Sequence, residues 1–300
     1  MTDISQGSRT KWPASGDLFL IGAVLAWGIN FPIAKTVLGV MDPMVFSSTR
    51  YLMASALLFL LLLIRGQSIK INRSEALKLL GIGLLGITLF QGGWAYGLSL
   101  TSASKSAILV STAPVFGAIF ARFKGEKTSL LSWLGILLSL LGVAFIINNS
   151  LTEFTFGGGS LTGDLLCIGA GCVWALYTTV SGSMVARRGP VLVTAWGMLF
   201  GAGLLTVVAS PELITQDWTI LTPLNWLAWM STAILGAALA FIWYCAGISR
   251  LGITKGMSYS FFIPVVAILT SVLFIGESMS ALQIGGAVIV LLGIRLSRVS

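Results

Sequence analysis

Residues 17–38 read DLFLIGAVLAWGINFPIAKTVL, and residues 164–185 read DLLCIGAGCVWALYTTVSGSMV. Each run is apolar over a length that crosses a hydrocarbon core of ~30 Å as a helix. Asp17 and Asp164, Gly22 and Gly169, Ala23 and Ala170, and Trp27 and Trp174 all match at a separation of 147 residues, as do Pro43 and Pro190. Further on, Gly97 and Gly247, Ser99 and Ser249, Lys105 and Lys255, and Pro114 and Pro264 match at 150. Gly125 with Gly276, Glu126 with Glu277 and Gly142 with Gly293 follow at 151, so only small loop insertions separate two copies of one unit.

Outward from these runs, apolar stretches of spanning length lie at approximately 17–38, 43–64, 76–98, 102–123, 130–147, 161–184, 190–209, 224–248, 254–275 and 279–297. Turn-formers collect between them, as in Gly39 to Pro43, Gly66 to Ser74 and Gly157 to Ser160. Five spans per half is an odd number, so the second half lies upside down relative to the first, an inverted-topology repeat of the kind found in secondary transporters. The expected fold is an all-α integral membrane protein of ten transmembrane helices. Its divisions are a cytoplasmic tail 1–16 that is polar and contains Pro13, a first five-helix repeat 17–148, an outer linker 149–160 and a second, inverted repeat 161–300. The first span is too long for a signal-peptide core and lacks a small-residue cleavage site, so it is expected to stay in the mature chain.

Composition points the same way. Hydrophobic residues make up 56% and charged residues 9% of the 300, against about 25% charged in soluble domains, and the mean hydropathy is +0.95. There is no His, and Cys167, Cys172 and Cys245 all sit in apolar stretches. Zinc chemistry, His-based catalysis and a disulfide framework are excluded on that ground, and no metal or cofactor is expected. An integral-membrane enzyme needs convergent acid, base or metal groups, whereas the ten acids here fall at helix ends or in loops. Asp17 and Asp164 begin their helices, where an acid caps free N–H groups. A carboxylate alternating between proton and substrate within the membrane is therefore not expected.

The net charge of +8 is explained by position. With the N-terminus cytoplasmic, every Lys and Arg except Lys35, Arg50 and Lys105 falls on the cytoplasmic side, and Asp42, Glu153, Glu212, Asp217 and Glu277 fall opposite. Both termini are thus expected in the cytoplasm. The cations punctuate helix ends and form no basic face for nucleic acid.

The three exceptions are the first site candidates. Arg50 lies seven residues beyond Pro43, roughly 10 Å into a helix at ~1.5 Å per residue. It reads either as a substrate ligand or as a structural partner of freed carbonyls. Lys35 and Lys105 lie nearer the outer interface, where a ligand role competes with snorkelling, and Lys255 has a positive-inside anchor as its alternative. Trp27 and Asn30 are three apart on the first span, and Trp174 and Tyr177 occupy the equivalent places on the sixth. Gln91 and Trp94 share a face of the third. Trp243 or Tyr244 from the eighth span and Tyr259 from the ninth are further contributors. A lipid-facing belt or helix packing competes with each aromatic, but buried amides such as Asn30 and Gln91 favour an internal cavity. Gly93 with Gly97 and Gly197 with Gly201 have the GxxxG spacing of close helix packing. Pro114 and Pro264 release the carbonyls of Val110 and Ser260, so both helices are expected to kink midway, as hinges or as static bends.

Trp27-Gly28-Ile29-Asn30-Phe31 followed by Lys35, Pro43 followed by Arg50, and the stretch from Ser104 through Pro114 to Gly125-Glu126 resemble the EamA repeat. That repeat defines the ten-helix members of the drug/metabolite transporter superfamily, and the resemblance covers both halves. Within the superfamily the sequence looks most like YddG-type bacterial exporters of aromatic and other hydrophobic amino acids. The resemblance implies a basket of helices around a central cavity, with the third, fourth, eighth and ninth prominent in its lining. It also implies the inner membrane of a bacterium. The second repeat departs from the pattern, because Pro32 and Arg50 align with Thr179 and Gly197.

The expected function is a secondary transporter that exports aromatic or hydrophobic amino acids by alternating access, its halves rocking about a central site. A cation such as Arg50 or Lys105 would hold the carboxylate, Trp and Tyr the side chain, and amides the polar end. A sugar-phosphate or other metabolite exchanger of the same fold is the alternative, although it would place more cations at mid-cavity. A structural membrane subunit is the alternative from another class. The expected partners are a small-molecule substrate and the lipid bilayer, with the chain a monomer or weak dimer.

Overall fold

The computed structural model describes residues 16–123, 129–147, 161–251, 259–260 and 262–296. Among these the chain is helical with no strand. The first span is Gly16–Val37 and the second Pro43–Ile64. The third runs from Arg73–Gly83 through a π-helical Leu84–Leu89 into Phe90–Leu100. The fourth is Ala103–Val110 and Ala113–Phe123, the fifth Leu130–Ile147, the sixth Leu161–Arg188 and the seventh Pro190–Val208. A short helix Ser210–Thr215 and a 3₁₀ turn Trp218–Ile220 precede the eighth span, which is Pro223–Ser231, a π-helical Thr232–Leu239 and Ala240–Leu251. Phe262–Ile275 and Ala281–Leu296 belong to the ninth and tenth. Together these are ten spans in two repeats of opposite topology around a central cavity. The linker 149–160, the tail 1–15 and Lys255 lie outside the described residues.

The starts of these helices are written in the sequence. Asp42 accepts hydrogen bonds from the N–H groups of Met44 and Val45, with Pro43 at the first helical position. Asn72 and Glu75 form a capping box before the third span, and Thr222 and Asn225 form another before the eighth, each at an offset of 150. The two π-helical segments also coincide under that offset. The inverted repeat thus extends to caps and to backbone hydrogen-bond register.

The helices pair by symmetry: third against sixth, first against eighth, second against seventh, and fifth against tenth. Without a hydrophobic drive between helices in lipid, close approach depends on small residues. A Cβ on Gly201 would collide with the carbonyl of Gly83, and one on Gly97 would stand 2.6 Å from Cys167 Sγ. Outward-facing side chains are apolar, including Leu63, Ile64, Leu273 and Phe274, as a lipid-facing surface requires. Six helices are long and apolar enough to cross a membrane by themselves, and the ninth and tenth are shorter apolar helices.

The fourth span breaks at Ser111 and Thr112, just before Pro114. Pro264 instead occupies the first turn of the described ninth helix, where a missing N–H costs no intrahelical bond. The residues that would show a mid-span kink there lie partly outside the described set.

Candidate functional site

Where the halves meet, a cavity of about 690 Å³, partly open to the exterior, is bounded by seven of the spans. The first supplies Trp27, Asn30 and Phe31, the second Arg50 and Tyr51, and the third Phe90, Gln91 and Trp94. Val110, Ser111 and Ala113 come from the fourth span at its break, Trp174 from the sixth, Gly236 and Phe241 from the eighth, and Ser260 and Ile263 from the ninth. The wall is aromatic with few polar groups, and Arg50 is the one cation that lines it among the described residues. The first and second spans contribute as much as those the family resemblance pointed to.

Arg50 is 1% exposed. Its Nη2 donates to Gln91 Oε1 at 2.9 Å, and its guanidinium lies 4.6 Å from the ring centres of Phe46 and Tyr51 and 5.1 Å from that of Trp94. Nε and Nη1 find no acceptor among the described residues, and neither does Asn30 Oδ1 find a donor. Among the described residues no carboxylate lines the cavity. A buried cation with open donors is costly unless an anion satisfies it. Aromatic faces return part of that cost through their quadrupoles.

The aromatic wall is interlocked. Trp27 meets Trp174 and Phe241 edge-on at 5.6 Å and donates its indole N–H to the carbonyl of Gly236 at 2.9 Å. That carbonyl sits in the π-helical segment of the eighth span, where the wider turn loosens the normal backbone pairing. Gly236 and Gly86, both on π-helical segments and 150 apart, play matched roles. A Cβ on Gly236 would collide with Asn30 Oδ1, and one on Gly86 would come 2.5 Å from the Tyr177 ring. Asn30 and Tyr177 are themselves repeat counterparts.

Of the sequence candidates, the structure brings Trp27, Asn30, Arg50, Gln91, Trp94 and Trp174 to the cavity wall. Tyr177 stacks behind Trp174 at 4.9 Å, and Tyr244 stands behind Trp27 at 5.0 Å, so both back the wall. Trp243, one residue from Tyr244, points the other way and packs over Gly22. Tyr259 donates its hydroxyl to Asp17 at the far end of the first span.

Lys105 is placed away from the cavity. Its ammonium pairs with Asp164 at 2.7 Å, both side chains being buried, and Thr101 donates its hydroxyl to the other carboxylate oxygen at 2.8 Å. Neither a snorkelling lysine nor an acid serving as its own helix cap describes this arrangement, since each charge is taken up by the other. Lys35 likewise does not snorkel: its ammonium donates to the carbonyls of Leu98, Ser99 and Thr101 at 2.7–3.1 Å, at the end of the third span. Nearby, the Glu277 carboxylate accepts from the N–H groups of Ala103 and Ser104 and from the Ser104 hydroxyl.

Sequence reasoning passed over Phe31, Tyr51, Phe90, Ser111, Gly236, Phe241 and Ser260. Phe31 and Tyr51 adjoin candidates already chosen. Gly236 was detectable as the repeat partner of Gly86. Ser111 and Ser260 carry no signal beyond lying three or four residues before a proline.

The model of the EamA-like transporter family matches residues 14–148 and 161–299. An uncharacterized transporter of Bacillus subtilis, YyaM, is 28% identical over 92% of this chain and 91% of its own. The uncharacterized inner membrane transporter YedA of Escherichia coli is 29% identical over 92% and 87%, and an uncharacterized transporter of Archaeoglobus fulgidus 27% identical over 93% and 96%. A solved crystal structure superposes with a TM-score of 0.69 over 94% of this chain and 96% of its own at 18% identity, which is a likeness of fold. The chain, a multi-pass membrane protein and a transporter, belongs to the EamA-like transporter family.

Proposed function

We propose that the protein exports amino acids with aromatic or other hydrophobic side chains by alternating access. One observation carries this reading: a buried guanidinium with open donors, set in an aromatic cavity where no described residue supplies a carboxylate. Arg50 holds the substrate carboxylate with Gln91 fixing the fork, Trp27, Trp94 and Trp174 enclose the side chain, and Asn30 Oδ1 accepts from the ammonium. One cation matches one carboxylate. A phosphate dianion would call for more positive charge than Arg50 supplies, which disfavours a sugar-phosphate exchanger.

The orientation belongs to the same proposal. The distribution of Lys and Arg supports both termini in the cytoplasm, and the likeness to an inner membrane transporter of Escherichia coli supports the inner membrane of a bacterium. The cavity's lack of an acid favours facilitated diffusion or exchange over carboxylate-gated proton antiport.

The test is counterflow in proteoliposomes without a pH gradient or membrane potential, comparing labelled phenylalanine and leucine with a sugar phosphate. Saturable accumulation of the amino acids, reduced about 10- to 100-fold by Arg50→Gln, is the expected result. Accumulation of the sugar phosphate alone, or amino-acid flux indifferent to Arg50→Gln, overturns it.

A further inference from the structure

A second, smaller void lies beside the cavity, with room for about one water while Phe241 stays where it is, lined by Ile82, Ile87, Tyr177, Val193, Thr194, Gly197, Met198 and Phe241. The inverted repeat explains its place. At offset 147, Asn30, Arg50 and Tyr51 map to Tyr177, Gly197 and Met198, and at 150 Gln91 maps to Phe241. This void is therefore the pseudo-symmetric image of the Arg50 site with each polar group exchanged: guanidinium for nothing, one amide for a phenol ring, the other for a phenyl ring. The Thr194 hydroxyl is turned to Cys245 Sγ, and carbon makes up the larger part of the remaining lining.

Two features make the recess usable. A Cβ on Gly197 would meet only Ile82 Cγ2, at an ordinary 3.7 Å, so this glycine leaves room that packing does not demand. Phe241 borders both voids and so stands between them. Its ring lies 6.0 Å from that of Tyr51, which in turn stacks on the Arg50 guanidinium.

We propose that the recess beside Gly197 is the subsite for the distal apolar end of a carboxylate substrate held at Arg50, with Phe241 as a movable partition, so that residue 197 sets the longest side chain carried. The inference rests on the carboxylate reading above and adds a length limit to it. An amphipathic substrate lies across the pseudo-twofold axis, charge on the first repeat and apolar end on the second. Sequence divergence between the halves then serves to give one symmetric cavity two unlike ends.

The experiment is counterflow of labelled alanine, valine, phenylalanine and tryptophan by wild-type protein, Gly197→Ala, Gly197→Leu and Phe241→Ala, each checked for monodispersity. Gly197→Leu is expected to lower the phenylalanine-to-alanine flux ratio about tenfold, Gly197→Ala to lower it less, and Phe241→Ala to raise the tryptophan-to-phenylalanine ratio. Should Gly197→Leu fail to fold, the alanine variant and Phe241→Ala decide by their opposite signs. Ratios unchanged within twofold in all folded variants overturn the recess while leaving the carboxylate reading intact. Shifted ratios alongside a silent Arg50→Gln overturn that reading and keep an apolar subsite. No flux of any amino acid in the wild type overturns both.

Discussion

Arg50 and the cluster at Lys105 are both buried charge, and they differ in what completes them. Lys105 meets Asp164, Lys35 meets three carbonyls, and Glu277 meets three donors, so the ends of the third, fourth and sixth spans that gather there are closed upon themselves. Arg50 has one amide oxygen and three ring faces. Burial alone does not mark a ligand site in a membrane protein; the valences left open do. Ionisable residues within spans are functional candidates by default, and the difference lies in whether the fold has already supplied the counter-group.

The largest effect is expected where that counter-group is removed. Asp164→Ala strands a buried ammonium, which costs about 3–5 kcal/mol, and should lower the melting temperature in detergent more than any other change named here. Adding Lys105→Met should recover most of the loss. If Asp164→Ala is silent, the pair is not the closed unit described, and the contrast with Arg50 collapses.

Arg50→Gln should behave oppositely. Transport falls by the worth of a charged hydrogen bond, about 1.5–3 kcal/mol, but stability holds or rises, because an unsatisfied charge leaves the interior. A melting loss as large as that of Asp164→Ala would make Arg50 structural. Lys35→Met comes next, at about 1–3 kcal/mol for carbonyls left without a donor, with substrate selectivity unchanged.

How legible this contrast is in the sequence follows from range. The depth of Arg50 below Pro43 is local arithmetic, and the amides Asn30 and Gln91 announce themselves because an apolar span seldom holds one without a partner. Trp27 and Trp174 follow from the repeat. The Lys105–Asp164 pair escapes such reading: its members lie in different halves, and each has a satisfactory local explanation at a helix end. Trp243 and Tyr244 show another limit, since adjacent residues on a helix differ by about 100° and the π-helical turn before them shifts that phase. Composition cannot reveal that shift, so the eighth span contributes Gly236 and Phe241 to the wall where Trp243 or Tyr244 was expected.

The smallest effect should come from Glu277, which sharpens the comparison by separating charge from hydrogen bonding. From the connection between the ninth and tenth spans, its carboxylate covers the first N–H groups of the helix Ala103–Val110, doing across the fold what a capping side chain does within one helix. Glu277→Gln keeps one acceptor oxygen for Ser104 but turns an NH2 donor toward the Ala103 N–H, so it loses that hydrogen bond together with the attraction between anion and helix N-terminus, about 0.3–1 kcal/mol. Glu277→Ala loses the acceptor as well and should cost about 0.5–2 kcal/mol. Thermal melts of the two variants give the split directly. If the glutamine protein melts as low as the alanine one, the charge dominates and the cluster is electrostatically open like Arg50. If it melts near the wild type, hydrogen bonds complete the cluster, and that end is closed in the sense that the central cavity is not.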